Sequence, residues 1–328
     1  MKVRFGLLAL LLVTSAAWAD TGLVIHGAEF GEARFHRLDN KKHPYPKDNI
    51  WNDYVLPDDA DGNGPVVVDN PDGSVTIFFL TLEDLITSSI QVAQQKNQPI
   101  AVLNVHGHGA PGEMGFPANQ EALQSKECEH WRKNALGTDQ MNYDKYYSST
   151  TVKEVETMRK FATLPLRDPT PGCGTGLPEW QSEVDQYPDF RSLFTENSQI
   201  HFVTCLVGLG EAGQEFTEGI ADLLLPHGPN AWVTSSTDFT LGDWSTPQGM
   251  RFWDMQTEAQ LNHDNELYSR DKQDSEIAQT GTIRWVTYSE DEGWHSTLIG
   301  QQYMSLGWQT PEQLQANTPA ASEPQMNP

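Results

Sequence analysis

Two short apolar runs in this chain end in residues that do chemistry. Ile100–Val105 runs into His106-Gly107-His108-Gly109, and Ile200–Thr204 runs into Cys205. A cysteine becomes an effective nucleophile when a base stands close to its sulfur, and the oxyanion formed by its attack needs backbone N–H groups nearby. Glycine after His108 permits close approach of a substrate backbone. A helix expected to begin near Glu211 aims a weak positive dipole at the turn after Cys205, which favours the thiolate slightly, within about one turn of the helix end. Free cysteines are also commonly buried and inert, so the pair is a candidate by its place in the fold as much as by residue type.

That place follows from the surrounding elements. Parallel α/β sheets put their sites outside the carboxyl ends of the strands. Gly22–His26, Val66–Asp69 and Val75–Leu80 read as strands, and Asn70-Pro71-Asp72-Gly73 reads as the hairpin turn between the last two. From Thr81 to Lys96 the period is helical, with Leu82, Ile86, Ile90 and Ala93 on one face and a capping box from Thr81 and Asp84. Strand 100–105 follows, so the segment is a βαβ unit with a parallel pairing. Residues 113–198 form a polar, Pro- and Gly-rich insertion, with helices expected near Val152–Leu164 and Glu179–Phe194. After Cys205, Phe216, Ile220, Leu223 and Leu224 mark a helix face, and Ala231–Ser235, Gly249–Met255 and Thr282–Tyr288 read as strands. The expected fold class is α/β: one domain over 20–308, a mainly parallel sheet flanked by helices, with β-hairpin decoration at its start.

The ends of the chain have a different character. Lys2 and Arg4, the apolar run Leu7–Val13 and Ala17-Trp18-Ala19 make residues 1–19 a secretory signal, so the mature protein is expected in the periplasm or outside the cell. No later apolar run is long enough for a membrane span. The tail, 309–328, has the composition of a disordered segment. The formal net charge of −24 repels nucleic acid and anionic lipid. Three cysteines in an oxidising compartment suggest one pair and one leftover thiol.

A hydrophobic strand ending in His-Gly, followed later by one ending in Cys, resembles the caspase-like cysteine peptidases, the group of caspases, legumain, clostripain and gingipains. The closer resemblance is to the DUF4347 domain of large bacterial surface proteins. Its segments HGxPG, GCNxxxGxxGxxF, S-x-D and GDW are matched in order by His108–Gly112, by Cys205 through Gly210, Gly213 and Phe216, by Ser236-Thr237-Asp238, and by Gly242-Asp243-Trp244. The match covers roughly residues 75 to 255. It implies His108 as base or acid, Cys205 as nucleophile, and the Gly109 and Cys205 amides as oxyanion donors. Ser235, Ser236 and Asp238 would wall a substrate pocket, with Asp238 or Asp243 suited to a basic side chain. The partner would be a peptide or protein substrate, and no cofactor is required. Thr204 and Leu206 depart from the family's glycine and asparagine on either side of the cysteine. With Cys205 as the free nucleophile, Cys128 and Cys173 are expected to form a disulfide.

Other chemistries compete for the same residues. His106 and His108 are an H-x-H pair able to chelate zinc, although Ala110-Pro111 replace the acidic and histidine ligands of the metallo-β-lactamase pattern. Asp59, Asp61 and Asn63 match the first half of a calcium loop, but Asn70 stands where its bidentate acid belongs; an acidic surface turn is the competing reading. Gly172–Gly176 lacks the Gly-Lys-Ser/Thr of a phosphate loop, and no G-x-S-x-G elbow is present. A binding or surface-assembly module that keeps the fold without turnover is the alternative from outside enzymology.

Overall fold

The computed structural model describes residues 22–42, 50–60, 62–136, 173–204, 206–237, 243–246, 249–252 and 283–299. The expected signal segment, the helix expected at 152–164 and the tail lie outside them. Among the described residues the protein is mixed α/β, built on an eight-stranded, mostly parallel sheet flanked by helices.

At the centre lie β1 (Leu23–Glu29), β4 (Ile100–His106) and β8 (Phe194–Val203), parallel to one another in the order β1-β4-β8. Every residue of β4 is buried, as expected of a parallel strand covered on both faces. β3 (Val75–Phe79) lies parallel on the far side of β1, and β9 (Trp232–Ser236) on the far side of β8. Antiparallel strands finish the sheet: β2 (Val66–Asp69) at one edge, and β12 (Ile283–Ser289) with β13 (Gly293–Ile299) at the other.

Helix α2 (Leu82–Lys96) connects β3 to β4 and has the expected capping box. Thr81 Oγ1 accepts the Asp84 N–H at 3.1 Å, and Asp84 Oδ2 accepts the Thr81 N–H at 3.1 Å. Such a cap is worth about 1 kcal/mol. The predicted direct pairing of β3 with β4 is corrected, because β1 inserts between them. β1 is therefore a central strand, and the hairpin decoration reduces to β2 on β3.

Helix α1 (Phe30–Lys42) follows β1 directly and is absent from the sequence reading. β5 (Gly109–Ala110) precedes the expected insertion, whose described residues carry β6 (Glu113–Met114), α3 (Gln120–Gln124), α4 (Glu129–Leu136), β7 (Thr175–Gly176) and α5 (Leu177–Gln186). The helix expected over 179–194 stops at Gln186, and β8 has already begun at Phe194. After β8 comes α6 (Gly210–Leu224), whose Phe216, Ile220, Leu223 and Leu224 are buried as read. β10 (Asp243–Thr246) and β11 (Gly249–Phe252) form a separate hairpin rather than joining the sheet.

Cys128 and Cys173 form a disulfide across a sequence separation of 45, with both residues buried. Closing that loop is worth about 4 kcal/mol in the chain-entropy model. Replacing both cysteines by serine should lower the unfolding free energy by a few kcal/mol in urea titrations. Non-reduced peptide maps of the native protein should contain this pair.

Candidate functional site at the ends of strands 4 and 8

β4 and β8 are neighbouring parallel strands, with His106 opposite Val203. The segments carrying the two candidate residues therefore leave the sheet side by side at its carboxyl edge. Cys205 itself lies outside the described residues, while Thr204 and Leu206 on either side of it are described and buried.

The turn after the cysteine is tightly built. Leu209 N–H donates to the Leu206 carbonyl at 2.9 Å, and Gly208 N–H to the Ser236 carbonyl at 2.7 Å. Leu206 has φ 61, a left-handed conformation that costs a leucine roughly 1–2 kcal/mol. Asparagine, the residue expected there from the resemblance, enters that region more readily. The buried Arg284 of β12 holds the turn from beneath, its Nε donating to the Gly208 carbonyl at 2.8 Å and a terminal nitrogen to the Gly210 carbonyl at 3.3 Å. A Cβ at Gly213 would stand 2.1 Å from the Gly208 carbonyl carbon, so the start of α6 can press on this turn only with glycine there.

The loop after His108 reaches the same turn. β5 and β6 form a tight hairpin through Pro111-Gly112, and Gly112 N–H donates to the Val207 carbonyl at 2.9 Å. Gly112 has φ 77, and a Cβ there would lie 2.7 Å from the Ala212 carbonyl oxygen. Both conditions demand glycine. In the hairpin, Ala110 pairs with Glu113 and Gly109 with Met114, while Gly115 N–H donates to the His108 carbonyl at 2.7 Å. Alternation of hydrogen-bonded and non-bonded pairs then turns the Gly109 N–H away from β6.

Around His108 stand two acids that the sequence reading passed over. Glu32, in the first turn of α1, places Oε1 3.1 Å from His108 Nδ1. Glu29, the buried last residue of β1, accepts the His108 N–H at 3.3 Å and the Gly31 N–H at 3.2 Å. Burial pushes the Glu29 carboxyl up to about 7, opposed by the charge of His108. For His108 desolvation pulls the pKa down, but Glu32 and then Glu29 outweigh it, leaving the imidazole above its ordinary value. The ring remains half exposed, at 51% of its side-chain surface. The only sequence signal for these acids was their position, just after the first strand and three residues apart.

The remaining candidates are dispersed. β4 ends at His106, whose ring packs on Tyr54 at 4.4 Å between centroids, so His106 and His108 have different partners. Among the described residues no group of three or more His, Cys, Asp or Glu converges as a metal site. Asp59 and Asn63 flank Asp61, which is outside the described residues. Ser235 Oγ is within 2.7 Å of Thr217 Oγ1 on α6, so it faces that helix, and Ser236 is fully buried. Asp238 is outside the described residues, as is the side chain of Asp243. A cavity of about 230 Å³ beside Leu80, Gln120 and Arg132 is lined by neither His108 nor the residues flanking Cys205. No helix among the described residues is long and apolar enough to cross a membrane. No family model matches the chain, and neither does any curated protein or solved structure.

Proposed function

We propose that this chain is an exported cysteine peptidase of caspase-like type, with Cys205 as nucleophile and His108 as its acid–base partner. The observation that carries this reading is the bond from Gly112 N–H to the Val207 carbonyl, which ties the histidine loop to the cysteine turn above neighbouring strands. His108 takes the proton from the Cys205 thiol, and the sulfur attacks the peptide carbonyl carbon. The carbonyl oxygen takes the negative charge and is met by backbone N–H donors, among them Gly109, whose N–H points away from β6. Collapse of the intermediate breaks the C–N bond, and His108 returns the proton to the departing amine. Water then adds to the thioester, giving up a proton to His108, and the thiol is regenerated.

The strained Leu206 beside the nucleophile is consistent with a site that the surrounding fold over-determines. A panel of fluorogenic peptides with varied P1 residues tests the reading. Turnover by the wild-type protein should vanish in Cys205→Ala. Full activity in that variant would transfer the chemistry to another centre, and the absence of turnover on every peptide would favour the binding-module reading.

A further inference from the structure

We infer that Glu32 is the positioning residue of this site: it accepts the Nδ1 proton of His108 and so holds the imidazole with Nε2 as the nitrogen that serves the thiol. The inference rests on the peptidase reading for its catalytic meaning, but the Glu32–His108 pair stands on geometry alone. The carboxylate oxygen lies 3.1 Å from Nδ1, and Glu32 keeps only 18% of its side-chain surface exposed. A histidine has two ring nitrogens, and the partner of one decides which form the other presents. With Nδ1 committed to a carboxylate, Nε2 is left as the basic nitrogen, and the imidazolium formed on proton uptake is stabilised by the adjacent charge.

The backbone beneath His108 is fixed separately. Glu29 accepts the main-chain N–H of His108, and Gly107 leaves room for it, since a Cβ at Gly107 would lie 3.0 Å from Glu29 Cβ. Glu29 thus holds the main chain and Glu32 the ring. Placement of both acids is a property of the β1–α1 junction. Glu29 ends the strand, Gly31 donates to it, and Glu32 sits in the first helical turn.

Among the described residues, the charged groups facing His108 are Glu32 from α1 and Glu29 from β1. Gly115, just after β6, presents its backbone to His108, and Glu113 of β6 lies instead against Gly174. Removing the Glu32 charge should therefore move the titration of His108 in one direction, downward.

The experiment compares wild type, Glu32→Gln and Glu32→Asp in the full-length mature protein. Histidine Cε1–H NMR signals are followed across pH, with His108→Asn used to assign the resonance. Glu32→Gln should lower the His108 midpoint, and Glu32→Asp should retain part of the shift. On a cleaved peptide, Glu32→Gln should lower kcat about tenfold or more with KM little changed. The acid limb of its kcat/KM profile should move to lower pH with the histidine midpoint. An unchanged midpoint in Glu32→Gln overturns the inference, even if activity falls, because a merely structural loss would reduce activity without moving the titration. If wild type cleaves no peptide, the peptidase reading fails, while the titration still upholds or overturns the Glu32–His108 pair.

Discussion

Replacing His108 by alanine should lower kcat/KM by about 10²- to 10⁴-fold, the usual loss when a positioned acid–base group is removed. Cys205→Ala should leave no peptidase turnover at all, since the bond-forming atom is gone. His106→Ala provides the contrast. That ring is buried against Tyr54 on the sheet, so its removal should act mainly on stability, leaving a smaller effect on turnover. Urea midpoints and steady-state rates measured on the three variants separate the cases. Equal kinetic losses in His106→Ala and His108→Ala, without unfolding, would point to a role shared by the two histidines and move the zinc reading forward.

The second large effect concerns acid. A polar row crosses the sheet in register, from Thr76 through His26, Asn104 and His201 to Thr234. The Asn104 side-chain amide lies 3.1 Å from His26 Nδ1, and His201 Nδ1 contacts Thr234 Oγ1. Burial pushes His26 down to about 4 and His201 down to about 3. Both folded values lie below the unfolded value of about 6.5, so the unfolded chain binds more protons as pH falls through this range. Stability present above about pH 6.5 is therefore lost progressively toward pH 4 for His26 and toward pH 3 for His201. Glu29 acts in the opposite sense. Its folded value of about 7 exceeds the unfolded one, so protonating it stabilises the fold as pH drops from about 7 to 4.5. Asp53, pushed up to about 6 chiefly by burial, acts in the same sense as Glu29, so these carboxyls offset part of the loss that the two histidines carry. In urea titrations across pH, the stability of wild type relative to His201→Gln should fall as pH drops from about 6.5 toward 3. Parallel stability curves for wild type and His201→Gln would contradict the assignment.

Strands 4 and 8 and helices 2 and 6 were legible because each has a local signature: an apolar run before a glycine or cysteine turn, a Thr81–Asp84 capping box, or apolar residues at helical spacing. The glycines of the resemblance also acquire physical reasons. Gly112 and Gly213 stand where a Cβ would strike backbone. What escaped was non-local. Nothing before residue 30 announces that β1 will insert between β3 and β4. The strand runs on through Gly27 to Glu29, and Leu85 fills the space above Gly27, where a Cβ would be 2.8 Å from the leucine methyl. Helix α1 carries charged residues throughout with neither a recognisable cap nor a clean apolar stripe, so the acids around His108 were hidden with it. Within the insertion, the Cys128–Cys173 disulfide joins residues 45 apart, a long-range link that composition does not reveal. Ser235 was placed in a pocket wall by analogy, whereas its hydroxyl is committed to Thr217 beneath the cysteine turn.

The most direct test of the central claim is covalent labelling of the native protein with a panel of peptidyl electrophiles, read by intact-mass and peptide-level mass spectrometry. A single adduct on Cys205 is expected, formed at neutral pH, slowed strongly in His108→Ala and slowed less in Glu32→Gln. A disulfide that includes Cys205, or a Cys205 that no electrophile reaches until the protein is unfolded, would contradict that claim.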